Sequence, residues 1–161
     1  MDTSPDPLQR LSKHLAARRR DDIEGRPVVI LAPVLASATR HVVQARENGA
    51  ARILVITWGD GTGPLPEPDR ITVHRLAMSP VRDVVDEVRA WQHLLRESDD
   101  GVGAVLDAFD PEARAVVIVA LALGADSFYG RGTYGARSET QERLEDKTLS
   151  RELWEAAGVP H

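Results

Sequence analysis

Three continuously apolar segments of strand length constrain this chain most. They cover residues 27–33 (PVVILAP), 52–58 (RILVITW) and 114–121 (RAVVIVAL). A strand that is apolar on both faces must be covered on both faces, as in a parallel sheet between two layers of helices. Membrane helices need roughly 20 apolar residues, so these segments are too short to span a bilayer. The sequence therefore predicts an α/β fold.

The sequence between these strands has the apolar periodicity of helices. The predicted helices cover residues 8–24, 36–48, 79–96, 102–109 and 139–157, and a fourth, shorter strand covers 71–76. Ser79 and Pro80 are expected to open the third helix, and Trp91 to anchor it in the core. Together these elements predict an open, mostly parallel four-stranded sheet with helices on both faces, in the strand order 3-2-1-4. In such sheets ligands bind at the carboxyl ends of the strands where the order reverses, here after Pro33 and after Leu121.

Composition narrows the classes of function. The net charge of −5 argues against nucleic acid or an anionic membrane as a partner. The chain contains no cysteine, which excludes disulfides, thiolate zinc sites and cysteine nucleophiles and suits a reducing compartment. The N-terminal residues form no apolar signal region, so we expect a cytoplasmic protein.

Scattered cations and histidines provide no clear site. The five histidines have neither the spacing nor the acidic neighbours of a metal site, so we predict no metal ligands and interpret them as surface or half-buried residues. Residues 18–20 (RRR) lie near a helix end and are followed by two aspartates. We favour a solvated helix end there over a phosphate-binding patch, because cations stabilise the C-terminus of a helix.

The glycines at residues 59–63 (GDGTG) resemble a dinucleotide-binding loop only in composition. The dinucleotide pattern G-x-G-x-x-G joins the first strand directly to a helix, whose N-terminus meets the phosphates. This segment follows the second strand and runs into Pro64-Leu65-Pro66. Binding of NAD or FAD is therefore disfavoured.

A glycine-rich loop with two arginines is predicted at residues 124–137, after the last apolar strand, where the ligand crevice is expected. Flexible backbone combined with guanidinium groups suits carboxylate or phosphate ligands. A mobile linker with solvated arginines is the alternative, and these residues alone do not decide between them. The candidate residues for binding a substrate or anion are Gly130, Arg131, Gly132, Tyr134, Gly135 and Arg137.

The C-terminal residues resemble the ATP-grasp superfamily. Asp146-Lys147, ten residues of predicted helix and then Gly158-Val159-Pro160 match, in type and spacing, the helix that leads from the N-terminal Rossmann-like domain of these enzymes into their nucleotide-binding domain. The resemblance implies a Rossmann-like, pre-ATP-grasp domain at 1–136 and the leading helix at 137–161.

The resemblance also implies a function. ATP-grasp ligases activate a carboxylate as an acyl phosphate and couple it to an amine, so the expected substrates are an amino acid or peptide. The resemblance assigns Lys147 a contact with the ATP phosphates; a solvated lysine is the alternative. The superfamily's remaining ATP and Mg²⁺ ligands would lie in a downstream ATP-grasp domain, so we expect no catalytic residue, no tightly bound cofactor and no ligase activity in this chain alone.

A second function remains open from the sequence. The chain could instead be a stand-alone, non-catalytic module that binds or senses a small ligand with the same fold. Neither hypothesis includes a nucleic-acid or membrane partner, and both leave a homodimer open.

Overall fold

The structure is a computed structural model that describes residues 6–79, 81–97, 101–120, 127–134, 154, 155 and 158. Four helices and six strands make up this part of the chain. In chain order they are α1 (Pro7–Ile23), β1 (Pro27–Leu31), α2 (Leu35–Glu47), β2 (Arg52–Thr57), β3 (Thr72–Arg75), α3 (Val84–Glu97), α4 (Val102–Phe109), β4 (Val116–Val119), β5 (Ser127–Phe128) and β6 (Arg131–Tyr134), with a 3-10 turn at Pro68–Arg70 before β3.

The strands form one mixed sheet in the order β3-β2-β1-β4-β6-β5. β1 lies between β2 and β4 and is parallel to both; Val29 pairs with Leu54 on one side and with Val117 on the other. β6 is parallel to β4, whereas β5 is antiparallel to β6. The predicted order of the first four strands is confirmed. The predicted total of four strands is wrong, because a hairpin extends the sheet beyond β4.

Helices cover both faces of the central strands, as their apolar sequences require. Every residue of β1 and β4 is buried, and so is all of β2 except Arg52. Alternate strand residues contribute to two separate cores. One core packs the sheet against α3 and α4 and includes Trp91, which is fully buried as predicted. The other packs it against α1 and α2 and includes Ile23.

The helix boundaries agree with the sequence in some places and differ in others. α4 has the predicted bounds. α3 begins at Val84 instead of at Ser79-Pro80, and the side chain of Asp83 accepts a hydrogen bond from the Asp86 N–H at 3.0 Å. The aspartate therefore supplies the N-terminal cap that we expected from the serine. Of the α1 stripe, only Ile23 is buried, whereas Leu8, Leu11 and Leu15 are exposed.

The hairpin β5–β6 lies where the sequence suggested an irregular glycine-rich loop. Gly130 forms its turn with a φ of 76°, which glycine adopts without steric cost. Phe128 and Arg131 are both buried, so the hairpin is fastened to the core at two points. The predicted loop is thus wrong for residues 127–134, which form two strands. Buried Phe128 and Arg131 attach these strands to the core.

Most of the predicted last helix, 139–157, lies outside the described residues. Trp154 and Glu155 are helical, and the N–H of Gly158 donates to the Glu155 carbonyl at 3.1 Å. Gly158 has a φ of 66°, as expected for a glycine that ends a helix. No helix in the described part of the chain is long and apolar enough to cross a membrane.

Candidate functional site

The carboxyl end of β1 leads into α2, where a phosphate-binding fold would expose free N–H groups. Here those groups are already bonded: Leu35 N donates to the Gly59 carbonyl at 2.8 Å and Ala36 N donates to the Asp60 carbonyl at 2.9 Å. Ser37 N bonds to the Val34 carbonyl at 3.0 Å. The first turn of α2 therefore has no free donors for a phosphate, which supports the sequence argument against a dinucleotide.

Residues 59–63 (GDGTG) lie against the N-terminus of α2 and accept its first N–H groups. Several contacts hold this segment in place. Gly61 has a φ of 70°, and a Cβ atom on it would lie 2.8 Å from the Cβ of Val34. The hydroxyl of Thr39 donates to the Pro64 carbonyl at 2.6 Å. Gly61 thus allows a close approach between this segment and the start of α2.

Arg131, a candidate from the glycine-rich segment, is directed into the protein and is only 2% exposed. Its Nε donates to Asp110 Oδ2 at 2.9 Å, and its Nη2 donates to the Asp110 carbonyl at 2.6 Å. Nη1 donates to the Tyr129 carbonyl at 2.9 Å, and Nη2 also lies 3.2 Å from Asp107 Oδ1. An anionic ligand would have to displace Asp110 to reach this guanidinium.

Asp110 is held in its charged form by this network. Burial would raise the pKa of its carboxyl, but hydrogen bonds from the Ala115 N–H, the Arg131 side chain and the Arg114 N–H outweigh that effect. The net result is a pKa below the ordinary value of 3.8. The pair therefore fastens the end of α4 to the hairpin.

The remaining candidates of the glycine-rich segment are distributed differently. Gly130 and Gly132 are exposed on the hairpin, and Tyr134 at the end of β6 is half-buried beside α1. Gly135, Arg137 and Lys147 lie outside the described residues. Among the described candidates, Tyr134 lines a cavity.

That cavity, which we call the α1–α2 pocket, has a volume of about 150 Å³. It lies between the two helices and the strands β4 and β6. Its lining consists of Arg19, Ile23, His41, Gln44, Ile118, Val119 and Tyr134. The aliphatic residues form an apolar surface, and the polar groups come from α1, α2 and β6.

Arg19 is the most unusual residue of the pocket. Its Nε is buried and has no hydrogen-bond partner within the described chain. Its guanidinium carbon lies 5.9 Å from the centre of the Tyr134 ring, at the distance of a cation–π contact. Buried polar groups in proteins are nearly always hydrogen-bonded, so an Nε–H without a partner among the described residues is a donor that a ligand in the adjoining cavity can use.

His41 contributes a second ionisable group to the same cavity. Burial lowers its pKa from the ordinary value of 6.5, and the positive charges of Arg40 and Arg19 lower it further. The imidazole is therefore neutral at pH 7. None of the described lining residues is acidic, so Arg19 gives this part of the pocket a positive charge although the whole chain carries a net charge of −5.

The size of the pocket limits what it can hold. A cavity of about 150 Å³ accommodates one benzene-sized molecule, whereas pockets for drug-sized ligands measure roughly 300–1,000 Å³. A nucleotide is too large. A small organic anion matches both the volume and the charge.

Sequence reasoning did not identify Arg19 and His41 as pocket residues, although the helical spacing contained a signal. Leu15, Arg19 and Ile23 are four residues apart and share one side of α1, so Arg19 interrupts an apolar stripe. His41 is similarly flanked on the buried side of α2 by Ala38 and Ala45. An arginine within such an apolar stripe is a stronger candidate for a binding residue than Arg18 or Arg20, its neighbours in the sequence.

No group of three or more His, Asp or Glu side chains that could hold a metal ion occurs among the described residues. Comparison of the chain with protein-family models, curated proteins and solved structures gives no match.

Proposed function

We propose that this domain binds a small carboxylate in the α1–α2 pocket. The observation that carries the proposal is the buried Nε of Arg19, which has no partner in the described chain and borders a cavity of about 150 Å³. A carboxylate accepts two parallel hydrogen bonds from a guanidinium group, so it would satisfy this donor.

An organic carboxylate fits the pocket better than inorganic phosphate. Ile23, Ile118 and Val119 supply the pocket with an apolar surface in addition to the guanidinium of Arg19. A ligand with a short hydrocarbon body would cover that surface and gain about 25 cal/mol for each Å² of apolar area removed from water. Inorganic phosphate has no such body, and it would leave the apolar surface in contact with water.

Isovalerate is a suitable probe, because it combines a carboxylate with a branched hydrocarbon body of the right size. We expect isothermal titration calorimetry to detect isovalerate binding, and the uncharged isovaleramide to bind much more weakly. Arg19→Gln should lose roughly 1.5–3 kcal/mol of binding free energy, the usual contribution of a charge-assisted hydrogen bond, or about 10–150-fold in affinity.

Arg18→Gln is the matched control, because Arg18 is the exposed neighbour of Arg19 on the same helix and carries the same charge. It should leave isovalerate binding nearly unchanged. Equal losses in the two variants would attribute the effect to overall charge and would contradict a specific site. Absence of isovalerate binding to the parent protein would refute the proposal outright.

We further propose that the domain is the substrate-side part of an ATP-dependent carboxylate–amine ligase that acts through an acyl phosphate. The order of the first four strands is compatible with a Rossmann-like domain, and Asp146-Lys147 with Gly158-Val159-Pro160 supports the ATP-grasp resemblance. A carboxylate pocket that is too small for ATP suits the substrate side of such an enzyme. ATP and Mg²⁺ would then bind with a downstream domain, and the enzyme would work in the cytoplasm, where ATP is supplied.

Lys147 distinguishes the ligase from a stand-alone binding module. In a protein that also contains the downstream domain, Lys147→Ala should weaken ATP binding or slow ADP formation by about 10–150-fold, the equivalent of one charge-assisted phosphate contact. The melting temperature should change little, because a side chain that contacts only the nucleotide contributes little to folding. The 161-residue chain itself should release no ADP from Mg²⁺–ATP above background. A stand-alone module would bind isovalerate equally well in the parent and the variant, with no response to ATP.

A further inference from the structure

His41 and Arg19 reach the α1–α2 pocket from two different helices, and the buried Nε of Arg19 has no hydrogen-bond partner within the described chain. The described residues around His41 include other charged or titratable groups. α1 contributes Arg19, α2 contributes Arg40 and β6 contributes Tyr134, whereas the lining residues of β4 are aliphatic. Among these described neighbours of His41 there is no carboxylate.

We propose that the pocket takes up a small monocarboxylate together with one proton, and that this proton resides on His41. The inference rests on the proposed carboxylate site and adds the charge state in which the site works. The bound state then consists of one carboxylate between two cations, Arg19 and protonated His41.

The physical reason is that a bound carboxylate changes the electrostatic environment of His41 from one that disfavours its protonated form to one that favours it. Without a ligand, burial and the two arginines disfavour the imidazolium form of His41. A carboxylate in the pocket offsets the arginine charges, and it can accept a hydrogen bond from the protonated ring. An opposite charge within about 4–6 Å favours the charged form of a titratable group, so the pKa of His41 rises when the anion binds.

The proton balance is simple. The carboxylate enters ionised, one proton moves from the solvent to the free ring nitrogen of His41, and no covalent bond forms or breaks. Because proton uptake accompanies binding, the affinity must increase as the pH falls. Between the pKa of His41 in the free protein and its pKa in the complex, the dissociation constant should rise by up to about tenfold for each pH unit.

The carboxylate of the probe does not cause this dependence. Carboxylic acids titrate near pH 4, so isovalerate stays ionised between about pH 5.5 and 8. A loss of affinity over that range therefore reports a group on the protein. Among the described lining residues, His41 is the one histidine, and none is a carboxylic acid.

The experiment measures isovalerate binding by isothermal titration calorimetry across this pH range, in buffers of different ionisation enthalpy. NMR follows the ring protons of His41. We expect net proton uptake on binding, an upward shift of the His41 titration with isovalerate, and weakening of binding with rising pH. In His41→Gln the pH dependence and the proton uptake should disappear, while binding itself persists through Arg19.

His14→Gln is the matched control, because His14 is an exposed histidine on α1 outside the pocket. It should retain both the proton uptake and the pH dependence. Binding without proton uptake, or with a pH dependence that survives in His41→Gln, would overturn this inference and leave the carboxylate site intact. Absence of isovalerate binding at every pH would overturn both.

Discussion

Asp110 and Arg131 form an ion pair whose two side chains are 3% and 2% exposed. Removing charges from water is costly, and the pair offsets that cost only because Asp110 also accepts two backbone N–H bonds, from Arg114 and Ala115. The guanidinium in turn donates to three backbone carbonyls, of Leu106, Asp110 and Tyr129. Because each side chain has several partners, replacing either residue alone leaves buried polar groups without hydrogen bonds.

Replacing Asp110 by alanine should therefore destabilise the protein by about 3–5 kcal/mol, because it leaves a buried guanidinium without its counter-charge. Urea denaturation would measure the loss. Glu112→Ala is the control: Glu112 pairs with Arg114 at the surface, where both side chains are more than half exposed, and it should cost less than about 1 kcal/mol. Similar losses in the two variants would contradict a structural role for the buried pair.

The same carboxyl should make the fold sensitive to acid. Because the pKa of Asp110 is lower in the folded protein than its ordinary value of 3.8, the unfolded chain takes up this proton first as the pH falls. The stability from this group is fully present above pH 3.8 and is lost as the pH falls through the folded pKa. In Asp110→Asn, unfolding free energy should decline less steeply over that range; an unchanged slope would assign acid sensitivity to other groups.

At the scale of elements, the loop after β2 acts as a cap for α2. Its Gly59 and Asp60 carbonyls accept the first N–H groups of the helix. A loop between two strands thereby replaces the Ser, Thr, Asp or Asn side chain that usually caps a helix, and α2 has no side-chain cap. Close packing of the loop against the start of α2 therefore requires a glycine at position 61.

Gly61→Ala should test that requirement. The added Cβ would lie 2.8 Å from Val34 at a φ of 70°, so the variant combines backbone strain with a steric clash. Gly25→Ala isolates the strain, since Gly25 has the same φ of 70° but nothing within 4 Å of the added atom. We expect about 1–2 kcal/mol of destabilisation for Gly25→Ala, and roughly 1–3 kcal/mol more for Gly61→Ala.

Thermal or urea unfolding of both variants would provide the comparison. If Gly61→Ala costs no more than Gly25→Ala, the loop can move away from Val34. In that case the contact between the loop and the start of α2 would be too loose to act as a cap.

At the scale of the whole molecule, the central strands were predictable from sequence because both of their faces are buried. Val29 and Leu54, for example, belong to apolar runs that admit few other structures. The hairpin was not predictable, since β5 has only two residues and β6 begins with a charged one. Its stability depends on Asp110, which lies 21 residues before Arg131 and carries no local signal of that pairing.

The candidate site was less predictable than the fold. Arg19 and His41 lie on helices separated by β1, and only the packing of those helices on the sheet brings the two side chains to one cavity. Periodicity shows which side of a helix faces inward, but it does not show which helices become neighbours. Tyr134 was singled out for the glycines around it, and its actual neighbour is Arg19.

The two edge strands of the described sheet are short, which affects the tendency of the protein to aggregate at high concentration. β5 has two residues, and β3 at the opposite edge has four, one of them Arg75, which is charged and exposed. Long, flat, apolar edges invite other chains to add strands, which leads to domain swapping and fibrils. The strongly apolar β1, β2 and β4 lie in the interior of the sheet, where their backbone groups are already paired. The arrangement therefore shields the most amyloid-prone segments of the chain for as long as the sheet remains folded.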